Sequence, residues 1–160
     1  MFSLEQKILQ LFSINNWTLS CAESCTGGQI AAQLTKAPNA SCVFVGSVVA
    51  YSNPFKQKVL QVCPSLITKY SPVSFQVAEA MAEGIMDLTQ STIAISTTGI
   101  AGPGGGTATN PIGTVWIGLK KKEYPPFSKK IHLIGSREEI IINASNFALL
   151  TLYEWLNGIE

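Results

Sequence analysis

The residues best placed to do chemistry lie in Ala22-Glu23-Ser24-Cys25-Thr26-Gly27-Gly28, where a short apolar run from Trp17 to Ala22 meets small residues that read as a helix start. A side chain at such a junction stands at the end of a strand, with the free N–H groups of a helix N-terminus turned towards it. Ser24 there suits a nucleophile with an oxyanion site beside it. It equally suits a helix cap, for which serine is a preferred residue. Cys25 is the competing nucleophile, weaker because no histidine is placed close to activate it. Glu23 has three readings: it orients a lysine, binds a substrate hydroxyl, or favours the helix N-terminus through its charge.

What is scarce narrows the chemistry. Asp87 is the only aspartate, Arg137 the only arginine and His132 the only histidine. A Ser-His-Asp triad would need His132, in an alternating run that reads as a strand, and Asp87, inside a helix; that triad is set aside. The base must then be a lysine, tyrosine or glutamate. Lys56 follows the break Tyr51-Ser52-Asn53-Pro54 and is either a solvated surface charge or a general base. The second role requires its pKa to fall from about 10.4 towards roughly 7–8. Tyr51 would relay the proton or orient the lysine, or is a rim aromatic. A third segment, Thr98 to Thr107, is rich in glycine. It lacks the Gly-Lys-Ser/Thr of a Walker A loop and no helix follows it, so it is not a dinucleotide fingerprint. Small residues with free N–H groups can still cradle a phosphate; the plain alternative is a flexible connection.

The surrounding elements must bring these three segments together. Ser3 and Gln6 make a capping box that opens a helix with Leu4, Ile8, Leu11 and Phe12 on one face. Trp17 to Ala22 reads as a strand and Thr26 to Thr35 as a helix. Cys42 to Ala50, rich in valine, reads as a strand buried on both faces. Pro54 opens a helix to about Val62, Ser65 to Tyr70 forms a short helix or turn, and Ser74 to Gln90 is a long amphipathic helix. Ser91 to Thr97 is a buried strand, Ile112 to Lys120 and Phe127 to Ile134 an antiparallel pair, and Ser136 with Glu139 a second capping box before a helix to about Asn157. This alternation predicts an α/β fold, a three-layer α/β/α single domain spanning residues 1–160 with a mixed, mostly parallel sheet. All three candidate segments then follow strand ends, where ligands bind in open α/β sheets.

Composition bounds the rest. The chain of 160 residues is 46% hydrophobic and 13% charged, so it can bury a core and disorder is excluded. A net charge of +1 provides no field for nucleic acid or a membrane surface. No run of about 18 apolar residues is present and no secretory signal is seen. Cys21, Cys25, Cys42 and Cys63 match no zinc spacing; Cys21, Cys25 and Cys42 lie in or beside apolar segments and read as buried free thiols, which fits a reducing cytoplasm.

The stretches AESCTGG (Ala22–Gly28), VVAYSNPFK (Val48–Lys56), TGIAGPGGGT (Thr98–Thr107), PIGTVWIG (Pro111–Gly118) and GSREE (Gly135–Glu139) resemble the CinA C-terminal domain family, the nicotinamide-nucleotide amidohydrolases, from about residue 3 to the C-terminus. The resemblance implies deamidation of nicotinamide mononucleotide to nicotinic acid mononucleotide and ammonia, with no metal or cofactor. It implies Ser24 as nucleophile, Lys56 as its base and Tyr51 beside it. Glu23, Cys25, Thr26, Gly27, Gly28, Thr98 and Gly99 are the expected substrate-binding residues around them. Gly102, Gly104, Gly105 and Arg137 are the candidates for the phosphate. Many family members carry an additional N-terminal domain, and the expectation here is the stand-alone form, assembled as a homo-oligomer. The sequence departs from the family's usual pattern at Ser136, where aspartate is usual, and at Ile141 and Asn110, where basic residues are common. It also has Ser71-Pro72-Val73-Ser74 in place of Gly-Ala-Val-Ser. An accessory binding protein and an amidase for another small amide are the rival readings.

Overall fold

Most helices begin where the sequence supplies a partner for the free amides of the first turn. The computed structural model describes residues 1–158. Its elements are α1 (Leu4–Ile14), β1 (Leu19–Glu23), α2 (Gln29–Lys36), β2 (Phe44–Val49), α3 (Asn53–Leu60), α4 (Pro64–Tyr70), α5 (Phe75–Thr89), β3 (Ile93–Gly99), β4 (Thr114–Lys121), β5 (Phe127–His132) and α6 (Arg137–Asn157). Both expected capping boxes are complete, Ser3 with Gln6 before α1 and Ser136 with Glu139 before α6. Ser52 caps α3 by accepting the Phe55 N–H, and Ser74 caps α5 by accepting that of Val77.

The sheet order is β2-β1-β3-β4-β5. β1 pairs in parallel with both β2 and β3, while β3–β4 and β4–β5 are antiparallel. The sheet is mixed, as expected, but its parallel share is smaller than the sequence reading has it, because the long β4–β5 hairpin supplies two antiparallel pairings. Two hydrophobic layers sandwich it. Leu19, Cys21, Ile93, Ile95, Ile117 and Leu119 pack under α1, α2 and α6. Ala22 and Ala94 pack with Leu60, Val77, Met81 and Ile85 from the α3–α5 side. The small residues on this second face let α5 lie close: a Cβ on Gly118 would collide with the Ala78 carbonyl, which also accepts a hydrogen bond from the Ser96 hydroxyl.

β2 corrects the expectation of a strand buried on both faces. It is an edge strand whose residues are half-buried or exposed. A valine-rich run looks the same in sequence whether its strand is central or at the edge. Cys42, just before it, is exposed for the same reason.

The chain leaves β1 through α2 to reach β2 on one side. It returns through α5 to β3 on the other side of β1. The strand order therefore reverses at β1, and a crevice opens beyond the carboxyl ends of β1 and β3. Ser24, Tyr51 and Thr98 to Gly105 all emerge at this end of the sheet.

Candidate functional site

Ser24 follows β1 directly, and its N–H donates to the Thr97 carbonyl of β3 at 3.0 Å, which pins the strand end. Gly27 and Gly28 then adopt φ of 59° and 99°, a left-handed turn that glycine enters without steric cost. This turn occupies residues read in sequence as the start of a helix, so α2 begins only at Gln29. The fully buried Glu23 closes that end. Its Oε1 accepts the Ile30 N–H at 2.7 Å and the Thr26 hydroxyl at 2.9 Å. Its Oε2 accepts the Ala31 N–H at 3.4 Å and the Ser47 hydroxyl at 3.3 Å. Of its three readings, the helix N-terminus is the one realised. Glu23, Thr26, Gly27 and Gly28, expected among the substrate-binding residues, are not among those that line the pocket. Glu23 and Thr26 are engaged with each other, with Thr97 and with α2, and all four residues lie outside the pocket wall.

The pocket itself has a volume of about 270 Å³. Ser24, Cys25, Tyr51, Lys56, Thr98, Gly99, Gly102, Gly104, Gly105 and Arg137 line it, so ten of the expected site residues converge there. Ser24 is 7% exposed and Lys56 only 3%. Lys56 sits in the first turn of α3 and points back into the crevice, where burial holds its pKa below the ordinary value of 10.5. Its Nζ donates to the Tyr51 backbone carbonyl at 3.4 Å. Tyr51 thus orients the lysine, but through its main chain. Its hydroxyl instead accepts from Arg137 Nη2 at 2.8 Å, and Arg137 Nη1 donates to the Gly102 carbonyl. The Tyr51 hydroxyl is thus engaged by Arg137, and the tie to Lys56 runs through the Tyr51 carbonyl. Arg137 ties the end of β2 to the glycine loop. The amides of residues 101, 102 and 104–106 have no backbone acceptor among the described residues, which leaves a concave, donor-rich surface beside the guanidinium.

Cys25 separates from Ser24 on electrostatic grounds. Burial pushes its thiol up to about 12, an effect larger than the opposing attraction of Lys56. At neutral pH it is a protonated, poorly nucleophilic group. Cys21 is likewise raised by burial, whereas Cys42 and Cys63 are exposed. Cys63 accepts or donates a hydrogen bond with the Ser65 hydroxyl at 3.0 Å, which lowers its pKa. Brief alkylation of the native protein is therefore expected to modify Cys63 fastest, then Cys42, and to leave Cys21 and Cys25 intact with activity unchanged. Mass mapping that finds Cys25 modified first would contradict this ordering.

Two lining residues, Pro72 and Val73, fall outside the three candidate segments, while Asn53, Ile100 and Ala101 lie within them without an assigned role. Pro72 and Val73 carry no reactive group, and only the fold brings the α4–α5 connection to the crevice. The ties that hold it are Thr98 Oγ1 to the Pro72 carbonyl, 2.7 Å, and Asn110 Nδ2 to the Val73 carbonyl, 3.0 Å. Asn110, singled out as a missing basic residue, thus acts as a neutral brace of the pocket wall. Among the described residues no three His, Cys, Asp or Glu side chains gather as metal ligands, and no helix is long and apolar enough to cross a membrane.

Comparison with known proteins agrees with this fold. The sequence model of the CinA C-terminal domain matches residues 1–156. A CinA-like protein of Myxococcus xanthus is 42% identical over 139 residues, covering 87% of this chain and 33% of that protein. The crystal structure of the competence/damage inducible protein CihA from Agrobacterium tumefaciens superposes with a TM-score of 0.91 at 34% identity, over 94% of this chain and 92% of that one. The competence damage-inducible protein A (ComA) of Klebsiella pneumoniae superposes with a TM-score of 0.93 at 32% identity, over 98% and 97%. The chain spans about a third of the length of the curated relatives it matches. It belongs to the CinA C-terminal domain family.

Proposed function

We propose that this member of the CinA C-terminal domain family is an amidohydrolase that converts nicotinamide mononucleotide to nicotinic acid mononucleotide and ammonia through a Ser24–Lys56 acyl-enzyme. The observation that carries the reading is that Ser24 and a buried lysine of lowered pKa line one pocket. A serine is a weak nucleophile until a base takes its proton. Lys56 serves only when neutral, and the buried pocket favours that form. The Tyr51 carbonyl accepts one N–H of the amine, leaving its lone pair free to be turned towards Ser24.

In the proposed cycle neutral Lys56 takes the Ser24 proton as Oγ attacks the carboxamide carbon. The oxyanion would meet the amide of Cys25, which lines the pocket and has no backbone acceptor among the described residues. The Ser24 amide, bonded to Thr97, is not available for this role. One such donor contributes about 3 kcal/mol to the transition state. The lysine then gives its proton to the leaving nitrogen, ammonia departs, and water attacks the ester with Lys56 again as base. The glycine loop and Arg137 would receive the phosphate, and the apolar Val73 and Ile100 offer contact surface to the pyridine ring.

Ammonia release by the purified protein, with nicotinamide mononucleotide compared against its non-phosphorylated nucleoside and a panel of small amides, tests the reading. Preferred turnover of the phosphorylated substrate is expected. No release while the nucleotide still binds would leave an accessory binding role. Equal turnover of unphosphorylated amides would move the substrate. Arg137→Gln is expected to raise KM for nicotinamide mononucleotide by about ten- to a hundredfold, the range for losing a charged hydrogen bond. It should leave KM for any unphosphorylated amide within a few-fold. A proportional rise for both substrates would place Arg137 in the wall alone.

A further inference from the structure

We infer that Glu23 is a positioning residue: from behind the pocket, its carboxylate sets Ser24 and Lys56 relative to each other. The inference rests on the Ser24–Lys56 chemistry proposed above. Glu23 is fully buried. The two ion pairs among the described residues, Lys120–Glu83 and Lys129–Glu154, do not involve it. Burying a carboxylate without a cation is costly, and stability alone would favour an apolar side chain at such a place. Four donors offset the cost, and they come from both sides of the dyad.

On the nucleophile's side, the Thr26 hydroxyl and the Ile30 and Ala31 amides close on the carboxylate. The Thr26 hydroxyl has a single proton, and Glu23 takes it. The Thr97 hydroxyl, 2.8 Å away, must then donate to the Thr26 oxygen. Thr97 also accepts the Ser24 N–H through its carbonyl. The turn that carries Ser24 is thus held at both ends by one chain of bonds from Thr97 through Thr26 to Glu23. On the base's side, Ser47 of β2 donates to Oε2, and the Glu23 main-chain carbonyl accepts the Ala50 N–H at 2.8 Å. Ala50 leads directly into Tyr51, whose carbonyl holds Lys56 Nζ.

A helix cap would need only Ile30 and Ala31. The added reach to Thr26 and Ser47 joins the nucleophile's turn to the strand that delivers the base. It fixes the gap that the Ser24 proton must cross, and a reacting group misplaced by about 1 Å can lose roughly a hundredfold in rate. Glu23 lines no part of the pocket, so it acts through Ser24 and Lys56 and not on the substrate.

Glu23→Gln keeps the side chain's size and one acceptor oxygen but puts an NH₂ among groups that donate. With nicotinamide mononucleotide, kcat is expected to fall about ten- to a hundredfold while KM stays within roughly threefold, because the glycine loop and Arg137 are untouched. Thr26 supplies a rescue pair. Thr26→Val removes the hydroxyl and should lose about tenfold in kcat, whereas Thr26→Ser keeps it and should stay within about twofold of wild type. Wild-type kcat in Glu23→Gln, or equal losses in the two Thr26 variants, would overturn the inference. Native-state hydrogen exchange gives a readout that needs no turnover. In Glu23→Gln the segments 24–31 and 47–56 should both exchange about three- to tenfold faster, as expected for a lost hydrogen bond, with β4 and β5 unchanged. Acceleration of 24–31 alone would make Glu23 a helix cap, and uniform acceleration would make it a brace for the whole fold; either result overturns the inference. A wild-type protein that releases no ammonia would refute the proposed chemistry instead, and the exchange pattern would still decide whether Glu23 couples the two segments.

Discussion

Replacing Ser24 with alanine is expected to reduce ammonia release from nicotinamide mononucleotide by roughly 10⁴- to 10⁶-fold, the range seen when an acyl-transfer nucleophile is removed. The loss should appear in kcat, because the oxygen that bonds to the substrate is gone while the pocket wall remains. Stability should change little. No hydrogen bond holds the Ser24 side chain among the described residues, and its structural tie is the backbone amide to Thr97, which alanine keeps. A thermal midpoint within about 3 °C of wild type is expected. The variant also separates the two candidate nucleophiles. Cys25 is the next residue and lines the same pocket, so a thiol mechanism would survive Ser24→Ala and fail in Cys25→Ala. With the Cys25 thiol held near 12, the opposite pattern is expected. Hydroxylamine added to the wild-type reaction should divert product to a hydroxamate, as an ester on Ser24 requires. Residual activity of a few per cent in Ser24→Ala would end the serine assignment.

Much of this site was legible because its signals are local. The capping boxes at Ser3 and Ser136 depend on residues three apart, and both form as read. The strand-to-helix junction at Ser24 and the break at Pro54 likewise need no partner elsewhere. Knowing only that three chemistry-bearing segments follow strand ends was enough to place them in one crevice, because the strand order reverses at β1. What sequence could not give is which way a group is engaged. Glu23 beside a nucleophile looks catalytic. The alternation of β1 turns it to the α2 face, and four donors close on its carboxylate. Tyr51 looks like a proton relay, yet its carbonyl and not its hydroxyl meets Lys56. The Pro72–Val73 wall showed only as a departure from the family's Gly-Ala-Val-Ser, since apolar residues before a helix have no chemistry of their own. Edge and central strands share the same valine-rich composition, which is why β2 was misplaced.

Replacing Lys56 with methionine separates catalysis from stability with opposite signs. Methionine keeps the long apolar stem inside the pocket and removes the amine. As a general base the amine contributes about 10²- to 10⁴-fold, so kcat should fall by that amount. In the wild type kcat/KM should rise with pH along a limb whose apparent pKa lies below 10.5, as burial lowers the lysine; in the variant that limb should vanish. The stability argument runs through proton linkage. A lysine whose folded pKa is depressed holds its proton more weakly when folded than when unfolded. Between the lowered value and 10.5 the unfolded chain binds the extra proton, so wild-type stability rises with pH across that window. Below the window the full penalty of a buried ammonium is present; above it the penalty is gone. Lys56→Met carries no such penalty at any pH. It is therefore expected to unfold at a higher temperature than wild type at neutral pH, with the advantage shrinking as pH climbs towards 10.5. Paired melting curves across that range decide the matter. A variant that is less stable at neutral pH, or whose advantage does not shrink, would mean that Lys56 is charged and well paired in the fold. It could not then be the base that Ser24 requires.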